Sequence, residues 1–264
     1  MPAFLTFVLL GWRRGSAYPA ATAAGAFTNT VFGFIKAAIT MGAVAAAGGT
    51  LAGYDALDAA TYAWLTQALI APVYVFVWSD FAERIRTGDV AVDLARPVDP
   101  QLHFLGMDLG RAAFALVPRG APPLLVGAVV TGLALPAEVL PYLLGIVSLV
   151  LAVVVSFAAR WLLNLAAVWM TEIRGPLTLY MVASNILCGL VVPVHWFPDW
   201  LAMLARATPF PSMLQAPVDV ITGRVTGLDA VAVLGVQAGW AVTLLVAGRL
   251  VWRRVVNRLV VQGG

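Results

Sequence analysis

The sequence predicts an all-α polytopic membrane protein with six transmembrane helices, an N-terminal interfacial helix and a re-entrant external segment before the last span. Three observations lead there. Hydrophobic residues make up 61% of the 264 and charged residues only 11%, against roughly 45–50% and about 25% in soluble domains. Mean hydropathy is +0.91. The charges fall between long apolar runs, so they report topology more than partners. The whole chain, 1–264, reads as a single transmembrane domain, and nucleic acid is not an expected partner despite the formal charge of +3.

A bilayer core needs roughly 20 apolar residues in helix. Residues 3–23 carry Trp12, Arg13, Arg14 and Tyr18 close together, which suits a helix lying at headgroup level. Arg13 and Arg14 follow the apolar start and no cleavage site is evident, so a signal peptide is not expected. The first span is predicted at 27–48, the second at 62–78 and the third at 114–135. The fourth begins at Pro141 and ends near Arg160 or near Met170. The fifth is 177–193 and the sixth 230–247. Residues 80–119 read as a charged cytoplasmic loop.

Six spans put both termini on one side. With the termini inside, thirteen arginines, among them Arg84, Arg86, Arg111, Arg160 and Arg254, are cytoplasmic and only Arg206 and Arg224 are external. The positive-inside rule therefore predicts cytoplasmic termini. Residues 194–229 are external but rich in Trp, Phe, Leu and Met. Pro198, Pro209, Pro211 and Pro217 interrupt them, which predicts short broken helices at the membrane edge.

The single lysine excludes a phosphate-binding P-loop, because Ala37 follows Lys36 where Ser or Thr is required. No Cys/His cluster has metal spacing, and no metal ligands are expected. Lys36 sits midway along the first span, where a charge costs about 2.5–3.5 kcal/mol on insertion scales. Asn29 and Thr40 lie seven and four residues away, so the three can form one polar stripe. That stripe is a candidate transport path; a locally paired or snorkelling lysine is the plainer reading.

The loop after the second span carries Glu83, then Gly88 as a helix breaker and Asp89 as a cap for a short helix. Val90, Val92 and Leu94 are taken as its apolar face, and Arg96, Pro97 and Pro100 as its end. Glu83, Arg86-Thr87-Gly88 and Leu94-x-Arg96-Pro97-x-x-Pro100 resemble the segment after the second span of ABC type-2 exporter permeases. Gly189-x-x-x-Pro193-x-x-Trp196-Phe197-Pro198-x-Trp200-Leu201, then Thr208-Pro209-Phe210 and Ala216-Pro217, resemble that family's stretch before the last span. Within the family the chain is similar to stand-alone six-span permeases of the multidrug or viologen exporter subgroup.

The resemblance implies that 89–100 is a coupling helix docking on a nucleotide-binding ATPase subunit. It implies two re-entrant helices in the external segment. It also implies that ATP and Mg act on the partner, that a second identical or related six-span permease completes the pathway, and that membrane lipid surrounds it. No catalytic residue is expected in this chain. Export of a drug-like compound and export of a lipid or polysaccharide precursor both stay open, with a membrane enzyme or scaffold as the remaining classes.

Overall fold

In the computed structural model, residues 3–262 are described except 77–78, 96 and 171, with side chains to residue 256. The described residues form helices and turns, with one isolated bridge between Leu51 and Tyr54. The predicted end of the second span at Trp78 and the site residue Arg96 lie outside the described residues.

α1 (Ala3–Ser16) and α2 (Pro19–Ala46) divide at Ala17–Tyr18. The interfacial helix thus ends seven residues before Ala23, and the first long helix starts earlier than 27. The cause is local: Pro19 has no N–H to donate and its fixed φ suits the first helical position. α3 (Ala56–Val73) starts at a capping box in which Asp55 and Asp58 each accept from the other's backbone N–H. All residues from Ala59 to Val73 are buried, as expected of a helix with no polar face.

The stretch 80–119 is not a solvated loop. α4 (Asp80–Thr87), α5 (Val90–Leu94) and α6 (Pro100–Ala115) fill it, and α6 runs through a π turn (Leu116–Gly120) into α7 (Ala121–Val130). Asp99 caps α6 by accepting from Leu102 N at 3.0 Å, and Pro100 takes the first turn. Pro118, unable to donate, lies in the π turn, the usual seat of such a defect. The charges of α6 are answered inside the protein, as shown below, so they need no water.

α8 (Leu140–Leu165) continues as a 3-10 turn to Val168, between the two ends predicted for the fourth span. α9 (Arg174–Leu187) has 14 residues, or about 21 Å of helix, shorter than the predicted 177–193. Residues 194–229, predicted to be external, are broken as their prolines require: a 3-10 turn at Val194–Trp196, α10 (Asp199–Arg206), a second 3-10 turn at Phe210–Ser212, and α11 (Gln215–Ile221). α12 (Gly227–Gln262) runs past the predicted end at 247. Among the described residues four helical stretches are long and apolar enough to cross a membrane: Pro19–Ala46, Pro100–Val130, Leu140–Val168 and Gly227–Val256.

The two largest apolar clusters among the described residues hold most of the bundle. One joins α3, α8, α11 and α12 through Tyr62, Leu69, Val155, Val218 and Ala241. The other is aromatic: Phe81 of α4 stacks on Trp161 of α8 at 4.4 Å and meets Trp252 of α12 at 5.7 Å. α1 packs along α6 through two Gly-x-x-x-Gly pairs, Gly11/Gly15 and Gly106/Gly110. A Cβ on Gly110 would lie 1.8 Å from Val8 O, and one on Gly11 would lie 2.0 Å from Met107 O. Only glycine lets the two backbones approach this closely.

Candidate functional site

The hairpin of α4 and α5 is the candidate contact surface. Gly88 closes α4 in the left-handed region, φ +84°, where glycine carries no steric penalty. Asp89 does not cap α5; its Oδ2 accepts from Thr87 Oγ1 at 2.9 Å instead. Arg84 Nε donates to Asp93 Oδ2 at 2.7 Å, and Asp93 is buried, so this pair clips the two helices together. On the inner side, Ala82 N donates to Asn164 Oδ1 at 2.9 Å.

The expected apolar face of Val90, Val92 and Leu94 is not one face. At 100° per residue, Val90 and Leu94 share a side and Val92 points away. Val90 is buried and Leu94 half-buried against Phe81, Ile85 and Trp161. Val92 is 53% exposed. Glu83 is exposed and meets Arg86 at 3.7 Å, a surface pair of little strength. Pro97 is exposed beyond the end of α5. Pro100 belongs to the start of α6, so it begins a helix where it was expected to end one.

Asn29, Lys36 and Thr40 do lie on one face of α2, and all three are buried there against α3. Asn29 Nδ2 donates to Gln67 O at 3.3 Å, and Thr40 Oγ1 to Ala59 O at 3.1 Å. Lys36 Nζ donates to Thr66 Oγ1 at 2.6 Å and to Leu190 O, and lies 5.0 Å from the Tyr62 ring centroid. The stripe is therefore a polar seam. Its lysine ties α2 to α3 and to the turn after α9.

The segment 194–229 closes over a hydrogen-bond hub at Gln215. Gln215 Oε1 accepts from Val194 N at 2.8 Å, and Tyr62 Oη lies 2.8 Å from the same oxygen and 2.7 Å from Gly189 O. Gln215 Nε2 donates to Asp219 Oδ1 at 2.8 Å, while Asp219 Oδ2 sits 2.9 Å from His195 Nε2. Arg224 lies 3.5 Å over the Tyr54 ring. Burial, reinforced by the Asp219 charge, pushes the Tyr54 phenol above its ordinary range. Pro193 and Pro217 are buried in this region, and Pro198 and Pro209 sit just before α10 and the second 3-10 turn. Trp196 and Phe197 are half-buried, and Trp196 stands edge-on to Tyr54 at 5.7 Å. Phe210 meets Tyr180 of α9 at 5.7 Å. Trp200 and Met203 of α10 are 65% and 70% exposed, an apolar face turned outward.

A third constellation went unread in the sequence. Asp108 of α6 receives Arg111 Nε at 2.8 Å and Arg160 Nη2 at 2.7 Å. Arg111 also donates to Ala71 O at 2.8 Å and Pro72 O at 3.0 Å, the free carbonyls at the end of α3. Tyr74, at φ +56°, has its ring 4.6 Å from the Arg111 guanidinium and 5.0 Å from that of Arg160. The α3 terminus is thus held by cation–π contact and by hydrogen bonds from α6. The two Gly-x-x-x-Gly pairs were also missed, although their spacing alone was a sufficient signal.

Comparison with known families places this geometry. A family model described as ABC-2 family transporter protein matches residues 33–263, most of the chain. The protein belongs to the ABC-2 transporter family: it is a multi-pass membrane protein and a permease component of an ABC transporter. No curated protein and no solved structure matches it.

Proposed function

We propose that the chain is the permease subunit of an ATP-driven exporter that moves a hydrophobic or amphipathic, drug-like compound out of a bacterial cell through the inner membrane. In this reading α3 and α9 join the four long helices as crossings, giving six, and both termini face the cytoplasm. The external segment 194–229 folds back at the membrane edge, in keeping with its outward apolar face at Trp200 and Met203. Two permeases, identical or related, form the pathway. Two ATPase subunits bind ATP and Mg and drive it.

The observation that carries the reading is the α4–α5 hairpin. Its inner side is fixed to the bundle by Phe81, Val90 and the Ala82–Asn164 hydrogen bond, and the Arg84–Asp93 clip holds its two helices together. Its outer side presents Val92, Glu83 and Asp89. A short, stiff, doubly anchored element with one exposed apolar residue suits a contact that must transmit displacement. ATP binding closes the ATPases, moves the hairpin and rocks the permeases between inward-open and outward-open states. Export direction rests on the resemblance of the hairpin and of the external segment to exporter permeases.

Coexpression with a candidate ATPase tests this. The complex should copurify and show substrate-stimulated hydrolysis, and the chain alone should hydrolyse no ATP, having no P-loop. Robust hydrolysis by the chain alone would overturn the reading. Orientation is tested separately in a Cys188→Ser background. Cysteines at Asp55 and Arg224 should react with an impermeant thiol reagent in intact cells, and cysteines at Arg86 and Arg254 should not.

A further inference from the structure

A cavity of about 370 Å³ lies where α1, α2, α6 and α8 meet the start of α4, within the ~300–1,000 Å³ usual for small-ligand sites. Four arginines line it, Arg14, Arg111, Arg119 and Arg160, against two carboxylates, Asp80 and Asp108. Their formal sum is +2. Asp108 spends both oxygens on Arg111 and Arg160. Asp80 meets Arg14 at 3.5 Å on the exposed rim, where solvent leaves little attraction.

Arg119 is the unanswered charge. It projects from the π turn, and its Nε is buried with no hydrogen-bond partner. Gly25 lies directly behind it: a Cβ there would stand 2.6 Å from the guanidinium, so α2 leaves a gap for this side chain. Such a group is costly to hold without an acceptor. An arginine fork donates to carboxylate or phosphate oxygens two at a time, and both carboxylates of this cavity already have arginine partners, which leaves phosphate.

The surroundings narrow the ligand further. Phe104, Met107 and Phe157 make part of the wall. Tyr18, 70% exposed, stands at the rim, and Val117, two residues before Arg119, is 64% exposed on the outer surface. The anion site therefore opens beside an apolar surface. Basic pockets between membrane helices on the side of the positive residues are suited to anionic headgroups. The geometry points to a binding site for the phosphate of an anionic membrane lipid, held by Arg119 and Arg14 between α1 and α2, with its acyl chains on the apolar surface beside Val117. This site is independent of the transport reading, because binding to it requires no ATPase.

The test uses the full chain purified in detergent, with phosphatidylglycerol, phosphatidylcholine and inorganic phosphate as probes and native mass spectrometry as readout. Phosphatidylglycerol should bind the wild type about tenfold or more tightly than phosphatidylcholine, as expected for one charge-assisted arginine–phosphate contact. Arg119→Gln should remove that preference and Arg119→Lys should keep part of it. Arg14→Gln, on the exposed rim, should weaken it without affecting folding. Equal binding of the two lipids by the wild type would overturn the proposal, as would a preference retained in both glutamine variants. Displacement of phosphatidylglycerol by millimolar inorganic phosphate would assign the site to a free phosphate and overturn the lipid assignment.

Discussion

Replacing Gly110 with leucine attacks the seam between α1 and α6. The new Cβ would stand 1.8 Å from Val8 O and 2.8 Å from Trp12 N, both backbone atoms. The first is about 1.6 Å short of ordinary contact, which begins at 3.4 Å. No rotamer change relieves a clash with backbone, so the helices must separate toward an ordinary spacing of ~8–10 Å. Overpacking of this kind costs about 1–3 kcal/mol or more, enough to shift α1 from docked to undocked by tenfold or beyond. The assay is a short bifunctional thiol reagent bridging cysteines at positions 7 and 103, in a Cys188→Ser background. Phe7 and His103 have ring centroids 4.7 Å apart, so their Cβ atoms lie within reach of a reagent spanning about 10 Å, and the parent pair should cross-link in high yield. With Gly110→Leu added the yield should collapse. An unchanged yield would show that α1 is not held by glycine contact.

Three further outcomes are expected. Val92→Asp should leave the protein inserted at normal levels but abolish copurification of the ATPase, whereas Val90→Asp should lower the level of the protein itself. The second change puts an unpaired carboxylate beside Phe81 and Trp161, at a cost of several kcal/mol; equal effects of the two would refute the facing assigned to α5. Lys36→Met should keep expression and thermal stability near wild type, because a buried charge and its desolvation are removed together, and should alter transport. Unaltered transport across several substrates would leave the seam a packing element only. Gln215→Ala should lower thermal stability by about 2–4 kcal/mol, since it strips partners from Val194 N, Tyr62 Oη and Asp219; a loss below ~0.5 kcal/mol would show that the hub is not structural.

Much of the architecture was legible because it is written in local chemistry. Composition alone specified a helical membrane protein. Gly88 and the prolines of 194–229 were read as helix breaks, and the chain breaks there; Pro19, the Asp55/Asp58 box and Asp99-Pro100 mark helix starts by equally local chemistry that went unread. The rest of what escaped was long-range or misphased. Residues 80–119 read as one charged loop, yet the charges of Asp108 and Arg111 are paired inside the bundle, and Arg160 lies 52 residues on from Asp108. Val90, Val92 and Leu94 were grouped with a period of two, although a helix turns Val92 to the opposite side. Lys36 was found as an anomaly of one span, but its acceptor at Leu190 lies 154 residues away and leaves no trace in the neighbouring sequence. The polar stripe was seen correctly as a stripe, and its burial against α3 depended on how two helices pack.

The position of Phe81 determines which helices the hairpin rests on. Its ring lies against Trp161 of α8, Phe104 of α6 and Trp252 of α12, and Ala82 is tethered to Asn164; among the described residues Phe81 makes no ring contact with α2 or α3. Toward the other end of the same two helices, Ser148 of α8 donates to Gln237 of α12 at 2.8 Å, and Gln237 donates to Ser212 O at 2.8 Å. α8 and α12 thus behave as a braced pair of struts, keyed at one end by three aromatic rings and near the other by a buried amide. The hairpin therefore bears directly on these two helices. At their far ends α11 packs against both, and α3 joins them in the same apolar cluster.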